Sequence, residues 1–223
     1  MRPFFNEVIH LKTCVIFGAA GFDGLLCPIP EDALTIAADG GLKHTQLLGL
    51  SPDVILGDFD SLGYVPEDSR VFPVEKDDTD SMLAVRLGLE RGCTEFYLYG
   101  GLDGPRLDHT VANFQTLAFL ADHGARGWLI GRDFIVTVAS RETLRFDETA
   151  SGILSVFCLG KDIEDLTLRG LKYPLEHGRL SAGFPLGVSN AFLGQAAEIA
   201  VGEGNLLVLW DRCCGLPGRE PLC

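Results

Sequence analysis

The sequence predicts an α/β protein in which an open, mostly parallel sheet is followed by a smaller all-β sandwich. Up to about residue 132, short apolar runs alternate with stretches of helical periodicity, an order typical of parallel sheets covered by helices. Beyond that point the apolar runs are interrupted by Gly, Asp and Asn and have no helical pattern between them, which favours antiparallel strands. In addition, aspartates directly follow several of the early runs.

The first part of the chain predicts strands and helices in alternation. The predicted strands are residues 12–17, 35–38, 54–56, 71–74 and 96–99, and the predicted helices are 42–48, 79–91 and 109–123. In the second of these helices, Met82, Val85 and Leu89 recur at helical spacing. Thr79 suits its N-cap, and Gly92 suits its C-terminus.

The second part predicts six short strands and no helix. These strands are residues 134–139, 142–146, 153–158, 165–168, 197–201 and 206–210. The residues after 210 contain Gly, Pro and charges without any periodicity, and we expect a loose tail there. The predicted units are an α/β domain at 1–135, a β-sandwich domain at 136–212 and a C-terminal tail at 213–223.

Composition excludes several classes of protein. The formal net charge of −13 argues against nucleic-acid binding, because phosphate backbones bind basic surfaces. No stretch approaches the roughly 20 apolar residues of a membrane-spanning helix, and the N-terminus lacks the pattern of a signal peptide. The seven cysteines are scattered and form no complete zinc pattern, so we expect inert thiols and a cytoplasmic protein.

Three segments, 39–41, 57–61 and 76–80, place aspartates where predicted strands end. Since ligands of open parallel sheets bind at the carboxyl ends of the strands, these carboxylates should converge in one crevice. Asp58 and Asp60 would share one face of an extended strand. Clustered carboxylates repel one another unless a cation lies between them, and Mg²⁺ prefers oxygen ligands. The pattern indicates a Mg²⁺-dependent nucleotide enzyme, with a polar turn as the simpler alternative.

A glycine-rich stretch at residues 100–109 provides a second candidate site. Glycines let backbone amides approach a phosphate, and Arg106 can bind phosphate oxygens with two donors. Asp108 and His109 begin the next predicted helix, where free N–H groups would meet an anion. The alternative is a plain glycine-rich turn with Asp108 as a helix cap.

The loop at residues 18–24 suggests a different class of enzyme. It looks like a dinucleotide-binding fingerprint, and Asp39 lies about where the ribose-binding acid of that motif is expected. The first closely spaced glycine pair is missing, however, and Pro28 and Pro30 cut short any helix behind the loop. An NAD(P)-dependent Rossmann-like oxidoreductase is therefore the alternative function, and it leaves the later aspartates unexplained.

Taken in order, the segments resemble those of the thiamine pyrophosphokinase family. The matching segments are Asp39-Gly40-Gly41, Gly57-Asp58-Phe59-Asp60-Ser61, Lys76-Asp77-Asp78-Thr79-Asp80, Arg106-Leu107-Asp108-His109, Gly170-Leu171-Lys172-Tyr173-Pro174-Leu175 and Gly187-Val188-Ser189-Asn190. The resemblance spans about residues 12–210. It implies transfer of a pyrophosphoryl group from ATP to thiamine, giving thiamine diphosphate and AMP. It also implies an ATP- and Mg²⁺-binding catalytic domain, a thiamine-binding sandwich and a homodimer with thiamine at the interface.

The resemblance also implies roles for individual residues. The implied Mg²⁺ ligands are Asp58, Asp60 and Asp80. The implied catalytic residues are Asp58, Asp60, Asp77, Asp80 and Arg106. ATP would be contacted by Asp39, Lys76, Thr79, Asp108 and His109, and thiamine by Ser189 and Asn190. The proton of the thiamine hydroxyl would pass to an aspartate or to solvent. A silent sensor that binds thiamine or a nucleotide is a further alternative, against which the intact carboxylate cluster argues.

Overall fold

The computed structural model describes residues 12–60, 62–72 and 78–222. The strands are β1 (Thr13–Phe17), β2 (Leu34–Ala38), β3 (Val54–Gly57), β4 (Arg70–Val71), β5 (Glu95–Tyr99), β6 (Arg126–Ile130), β7 (Phe134–Ala139), β8 (Glu142–Phe146), β9 (Ile153–Leu159), β10 (Ile163–Arg169), β11 (Leu175–Leu180), β12 (Asn190–Ala191), β13 (Ala197–Val201), β14 (Asn205–Asp211) and β15 (Gly218–Pro221). The α-helices are α1 (Leu42–Leu47), α2 (Asp80–Glu90) and α3 (Leu107–Asp122), and short 3-10 helices span Asp39–Gly41 and Arg212–Cys214.

The predicted elements are present, and four strands are additional. Each predicted helix or strand has a counterpart whose ends differ by at most two residues, apart from the run 71–74, of which 73 and 74 lie outside the described residues. The strands that the sequence analysis missed are β6, β11, β12 and β15.

One ten-stranded sheet links the two parts of the chain. Its strand order is β12-β9-β14-β7-β6-β5-β1-β2-β3-β4. The pairs from β6 to β4 are parallel, and β7 then pairs antiparallel with β6 and begins the antiparallel part. The boundary predicted between residues 135 and 136 falls within β7, and the division into domains stays a prediction.

A second sheet of five antiparallel strands, in the order β11-β10-β13-β8-β15, completes the sandwich. The core that includes residues of both sheets contains Trp128, Phe146 and Trp210. The ring of Trp210 lies edge-on to the other two, with centroid distances of 6.2 Å to Trp128 and 5.4 Å to Phe146. A second core packs α2 and α3 against the parallel strands. The predicted fold class, an open mostly parallel sheet followed by a β-sandwich, is therefore confirmed.

Both long helices begin beside the carboxyl ends of the parallel strands. The Thr79 hydroxyl accepts a hydrogen bond from the Met82 amide at 3.2 Å and caps α2, as predicted. Asp80 and Asp108 lie in the first turns of α2 and α3, where a negative charge is favourable beside the helix dipole. None of the described helices is both long and apolar enough to cross a bilayer.

The C-terminal segment differs from the loose tail that we expected. Residues Gly218–Pro221 form β15, which pairs with β8 at the edge of the five-stranded sheet. The Arg219 side chain is only 4% exposed, pairs with Glu142 and lies 4.7 Å from the ring centroid of Trp128. A buried ion pair and a cation–π contact hold this strand, which explains why hydrophobic periodicity did not reveal it.

Candidate active site

The carboxyl ends of β1, β2, β3 and β5 meet at one edge of the large sheet. Glycines permit this close approach. A Cβ atom on Gly41 would lie 1.8 Å from the carbonyl oxygen of Phe17, the last residue of β1. A Cβ atom on Gly100 would lie 2.3 Å from the carbonyl oxygen of Gly18. The loops that follow β1, β2 and β5 therefore pack backbone against backbone and surround a common crevice.

Three carboxylates converge at this edge. Asp39 follows β2, whereas Asp58 and Asp60 follow β3, and one oxygen of each lies within 4.8 Å of the others. Parallel pairing of Ala38 with Leu56 sets the two strand ends side by side. The predicted convergence of the first two aspartate segments is therefore present in the fold.

A turn, not strand alternation, brings Asp58 and Asp60 together. β3 ends at Gly57, whose φ of +148° is a conformation that L side chains rarely adopt, and Phe59 has a φ of +60°. The amide of Asp60 donates a hydrogen bond to the Asp58 carboxylate at 3.2 Å. The extended-strand explanation was therefore wrong, because the chain turns sharply while the buried Phe59 ring anchors it in the core.

The environment of Asp39 fits a cation. This carboxylate is only 8% exposed, and its Oδ1 atom has no hydrogen-bond partner among the described residues. A buried carboxylate oxygen without a partner is unfavourable in a metal-free protein, and two further carboxylates nearby add repulsion. A hard divalent cation with oxygen ligands would remove both penalties. The donor set of the site thus suits Mg²⁺.

The third aspartate segment is only partly described. Lys76 and Asp77 lie outside the described residues, so their predicted roles have no structural counterpart here. Thr79 caps α2, and Asp80 starts it, but Asp80 is not a member of the three-carboxylate group. Asp39, predicted as an ATP contact, joins Asp58 and Asp60 in this group, and the predicted role of Asp80 as a metal ligand stays a prediction.

Arg106 stands at the start of α3 in the glycine-rich loop. Its Nε and Nη2 atoms donate to the two oxygens of Asp108 at 2.9 and 2.6 Å. This paired hydrogen bond lowers the pKa of Asp108 to about 2. The hydrogen bond to Asp108, and to a smaller extent the charge of Asp60, raise the pKa of Arg106. His109 follows in the first turn with an exposed side chain. Arg106 therefore projects toward solvent in the field of the carboxylate group.

The loop after β1 packs against the glycine-rich loop. The amide of Ala20 donates to the Gly100 carbonyl at 2.9 Å, and a Cβ atom on Gly104 would lie 3.1 Å from the Ala20 methyl group. His44 from α1 contacts the Ala20 carbonyl through Nε2 at 2.8 Å. The two loops therefore form one wall of the crevice.

The residues predicted to bind thiamine lie in the antiparallel part. Ser189 is exposed, with a φ of +58°, and its amide donates to the Ser155 hydroxyl at 3.0 Å. Asn190 is buried, and its side-chain amide bonds both the N–H and the carbonyl of Tyr173 at 2.9 and 2.8 Å. Ser189 presents its side chain to solvent, whereas Asn190 fixes the backbone beside it.

The site also depends on residues that sequence reasoning missed or assigned elsewhere. The convergence of Asp39 with Asp58 and Asp60 was expected from the strand ends, but Asp39 was assigned to ATP and not to the metal, because its Asp-Gly-Gly motif does not specify how close strand register brings it. The contact of His44 with Ala20 joins α1 to a loop 24 residues away, and no short motif predicts such a pair.

Comparison with protein families gives two matches that together span most of the chain. Residues 29–129 match the thiamin pyrophosphokinase catalytic domain, and residues 141–206 match the thiamin pyrophosphokinase vitamin B1 binding domain. Thiamine pyrophosphokinase of Bacillus subtilis is 28% identical over 192 residues, which cover 80% of this chain and 87% of that protein.

Solved structures agree with these matches. The crystal structure of the Bacillus subtilis thiamine pyrophosphokinase has a TM-score of 0.76 at 25% identity, covering 89% of this chain and 98% of that one. The thiamin pyrophosphokinase of Geobacillus thermodenitrificans has a TM-score of 0.73 at 26% identity, covering 91% and 100%. None of these similarities favours the dinucleotide oxidoreductase. The ordered motifs, the fold and both domain matches agree, and the chain belongs to the thiamine pyrophosphokinase family.

Proposed function

We propose that this enzyme transfers a diphosphate group from ATP to thiamine and forms thiamine diphosphate and AMP. The observation that carries the proposal is the partly buried group of three carboxylates, Asp39, Asp58 and Asp60, at the carboxyl ends of parallel strands. In this reaction the hydroxyl oxygen of thiamine bonds to the β-phosphorus of ATP, while the bond from that phosphorus to the oxygen retained by AMP breaks. Family membership supports both substrates.

The residues that would hold Mg²⁺ are Asp39, Asp58 and Asp60. Asp80, at the start of α2, is proposed as a further Mg²⁺ ligand when ATP is bound. When bound, Mg²⁺ offsets the negative charge of the ATP phosphates and orients them. The buried Oδ1 of Asp39 supports this assignment, because it lacks a partner among the described residues.

Arg106 and the two packed loops are proposed to position the phosphates of ATP. Asp108 holds the Arg106 guanidinium through Nε and Nη2, which leaves Nη1 available for phosphate oxygens. The same paired hydrogen bond lowers the pKa of Asp108, so this anchor stays ionised at neutral pH. The proposed ATP contacts also include Lys76, Thr79, Asp108 and His109. Asp77 keeps its proposed catalytic role close to the metal.

Thiamine is proposed to bind beside Ser189, whose exposed side chain can contact the aminopyrimidine ring. Asn190 fixes the backbone beside this pocket through its two bonds to Tyr173, and its proposed contact with thiamine would use the second N–H of the side-chain amide. Exposed apolar side chains surround the segment, each between 46% and 64% exposed: Ile153, Tyr173, Phe184, Leu186, Val188 and Leu193. Apolar surface of this kind marks an interaction site, which supports a homodimer that encloses thiamine.

The six described cysteines are all free thiols, which supports the proposed cytoplasmic location.

The direct test is incubation of the protein with ATP, thiamine and Mg²⁺. We expect AMP and thiamine diphosphate in equal amounts, and no product after EDTA is added. ADP together with thiamine monophosphate would contradict the proposed transfer, because only the terminal phosphate would have moved. Saturable thiamine binding without turnover would favour a sensor, and tight NAD(P) binding without ATP binding would favour the oxidoreductase.

Replacing Ser189 by alanine tests the thiamine pocket. We expect the KM for thiamine to rise about 3- to 10-fold, the usual effect of losing one neutral hydrogen bond, while the KM for ATP changes less than twofold. Steady-state kinetics with each substrate varied in turn measures both constants. Ser51→Ala, at an exposed serine before β3, is the matched control. A larger effect on ATP than on thiamine would place the pocket elsewhere.

A further inference from the structure

Arg212, in the segment after β14, contacts the loop that follows β1. Arg212 follows β14 directly and lies in the short 3-10 helix Arg212–Cys214. Its Nη2 atom donates to the Gly24 carbonyl at 2.8 Å, and its Nη1 atom donates to the Gly131 carbonyl at 3.0 Å. A single guanidinium thus joins the loop after β1 to the turn after β6.

The backbone around Arg212 is itself held firmly. Its amide donates to the Asp133 carbonyl at 2.8 Å, and the neighbouring indole of Trp210 donates to the Gly215 carbonyl at 2.9 Å. Trp210 is fully buried in the sandwich core. These contacts fix the backbone around Arg212. Loss of the Arg212 side chain should therefore increase the mobility of the loop after β1 more than that of the backbone at residue 212.

The same loop has further contacts on either side of Gly24. The amide of Leu26 donates to the Tyr99 hydroxyl at 3.1 Å, and Arg132 pairs with Asp23. The amide of Arg132 also donates to Asp103 of the glycine-rich loop at 2.6 Å. Arg132 therefore connects the loop after β1 with the loop that carries Arg106, and Arg212 joins the same loop to Gly131, the residue before Arg132.

We infer that Arg212 is a positioning residue for nucleotide binding: it holds the loop 18–26 in the shape in which this loop and the glycine-rich loop receive the ATP phosphates. This inference rests on the proposed function for the location of ATP. Both partners, Gly24 and Arg212, lie outside the residues matched by the two family domains, 29–129 and 141–206. The contact is thus a feature of this chain that the family matches do not assign.

Arginine is suited to this role because its planar guanidinium donates to two carbonyls at once, while lysine carries a compact ammonium group on a flexible stem. If the contact is lost, the loop samples other conformations, and only a fraction of molecules can bind ATP. The apparent affinity falls in proportion to that fraction, whereas molecules that have bound ATP react as before.

The test uses Arg212→Ala and Arg212→Lys in the full chain. For Arg212→Ala we expect the Kd for ATP with Mg²⁺, measured by calorimetry without thiamine, to rise about tenfold. We expect kcat and the KM for thiamine to change less than twofold. Amide hydrogen exchange in residues 18–26 should accelerate in the absence of any substrate. For Arg212→Lys we expect a Kd for ATP between those of the wild type and Arg212→Ala, because lysine can still donate to one of the two carbonyls.

Lys161→Ala is the control, because it also removes one positive charge from the acidic chain. Lys161 pairs with Glu203, and both residues are far along the sequence from the two loops. An unchanged Kd for ATP in Arg212→Ala, or the same rise in Lys161→Ala, would overturn the inference. A loss of kcat with unchanged ATP affinity would also overturn it. Failure of the proposed function is seen separately, since the wild-type protein would then form no thiamine diphosphate while ATP binding and hydrogen exchange still report on Arg212.

Discussion

Asparagine in place of Asp58 is expected to lower kcat roughly 100- to 1,000-fold, the usual loss when one electrostatic contact of the transition state is removed. The substitution keeps the size of the side chain and removes one negative charge from the group formed with Asp39 and Asp60. The concentration of Mg²⁺ needed for half-maximal activity should rise as well. Both quantities follow from AMP formation measured over a range of Mg²⁺ concentrations.

The fold should survive this substitution. The side-chain oxygen of asparagine can still accept the Asp60 amide hydrogen bond that Asp58 accepts at 3.2 Å. Removing one of three adjacent carboxylates also relieves repulsion in the metal-free protein, so its melting temperature should be unchanged or higher. Asp32→Asn, the same change at an exposed position, should leave activity unaltered. Near-normal turnover of Asp58→Asn would remove Asp58 from the metal site.

Alanine in place of Gly41 is expected to destabilise the enzyme by about 3 kcal/mol or more. The added Cβ atom would lie 1.8 Å from the Phe17 carbonyl oxygen and 3.0 Å from the Gly18 amide nitrogen. Both are backbone atoms at the end of a buried strand, so neither can move aside as a flexible side chain would. The end of β1 and the start of α1 must separate, and the crevice opens with them.

Thermal and urea unfolding measure this effect. A loss of about 3 kcal/mol corresponds to a fall in melting temperature of about 6–12 °C for a chain of this size. Gly183→Ala is the control, because a Cβ atom there has no neighbour within 4 Å. Equal stability of Gly41→Ala and the wild type would show that the backbone at Gly41 does not lie this close to the end of β1.

Much of the fold could be predicted because periodicity and breakers are local. The exceptions are instructive. β6 contains Gly127, where a Cβ atom would lie 2.7 Å from both Leu117 and Leu120 of α3. Glycine therefore leaves room for the Leu117 and Leu120 side chains to pack on β6, but it weakens the strand pattern in the sequence. β15 depends on the pairing of Arg219 with Glu142, 77 residues away, which no local pattern contains.

For the candidate site, the sequence predicted the right segments but not their geometry. Asp58 and Asp60 were expected to act together, and they do lie in one group. That Asp39 lies against Asp58 and Asp60 reflects the register of β2 against β3, which is decided by the packing of whole strands. The roles of Lys76, Asp77, Ser189 and the other assigned residues stay predictions.

The sequence by itself determined the α/β class, the order of the motifs and hence the family. Apolar periodicity and the Asp- and Gly-rich segments are patterns of neighbouring residues, so they can be recognised without the fold. Only the tertiary structure decided which carboxylates meet, how the sandwich joins the parallel sheet, and that Arg212 reaches the Gly24 carbonyl. These contacts join residues far apart in the chain, and their geometry depends on the balance of burial, pairing and register over the whole molecule.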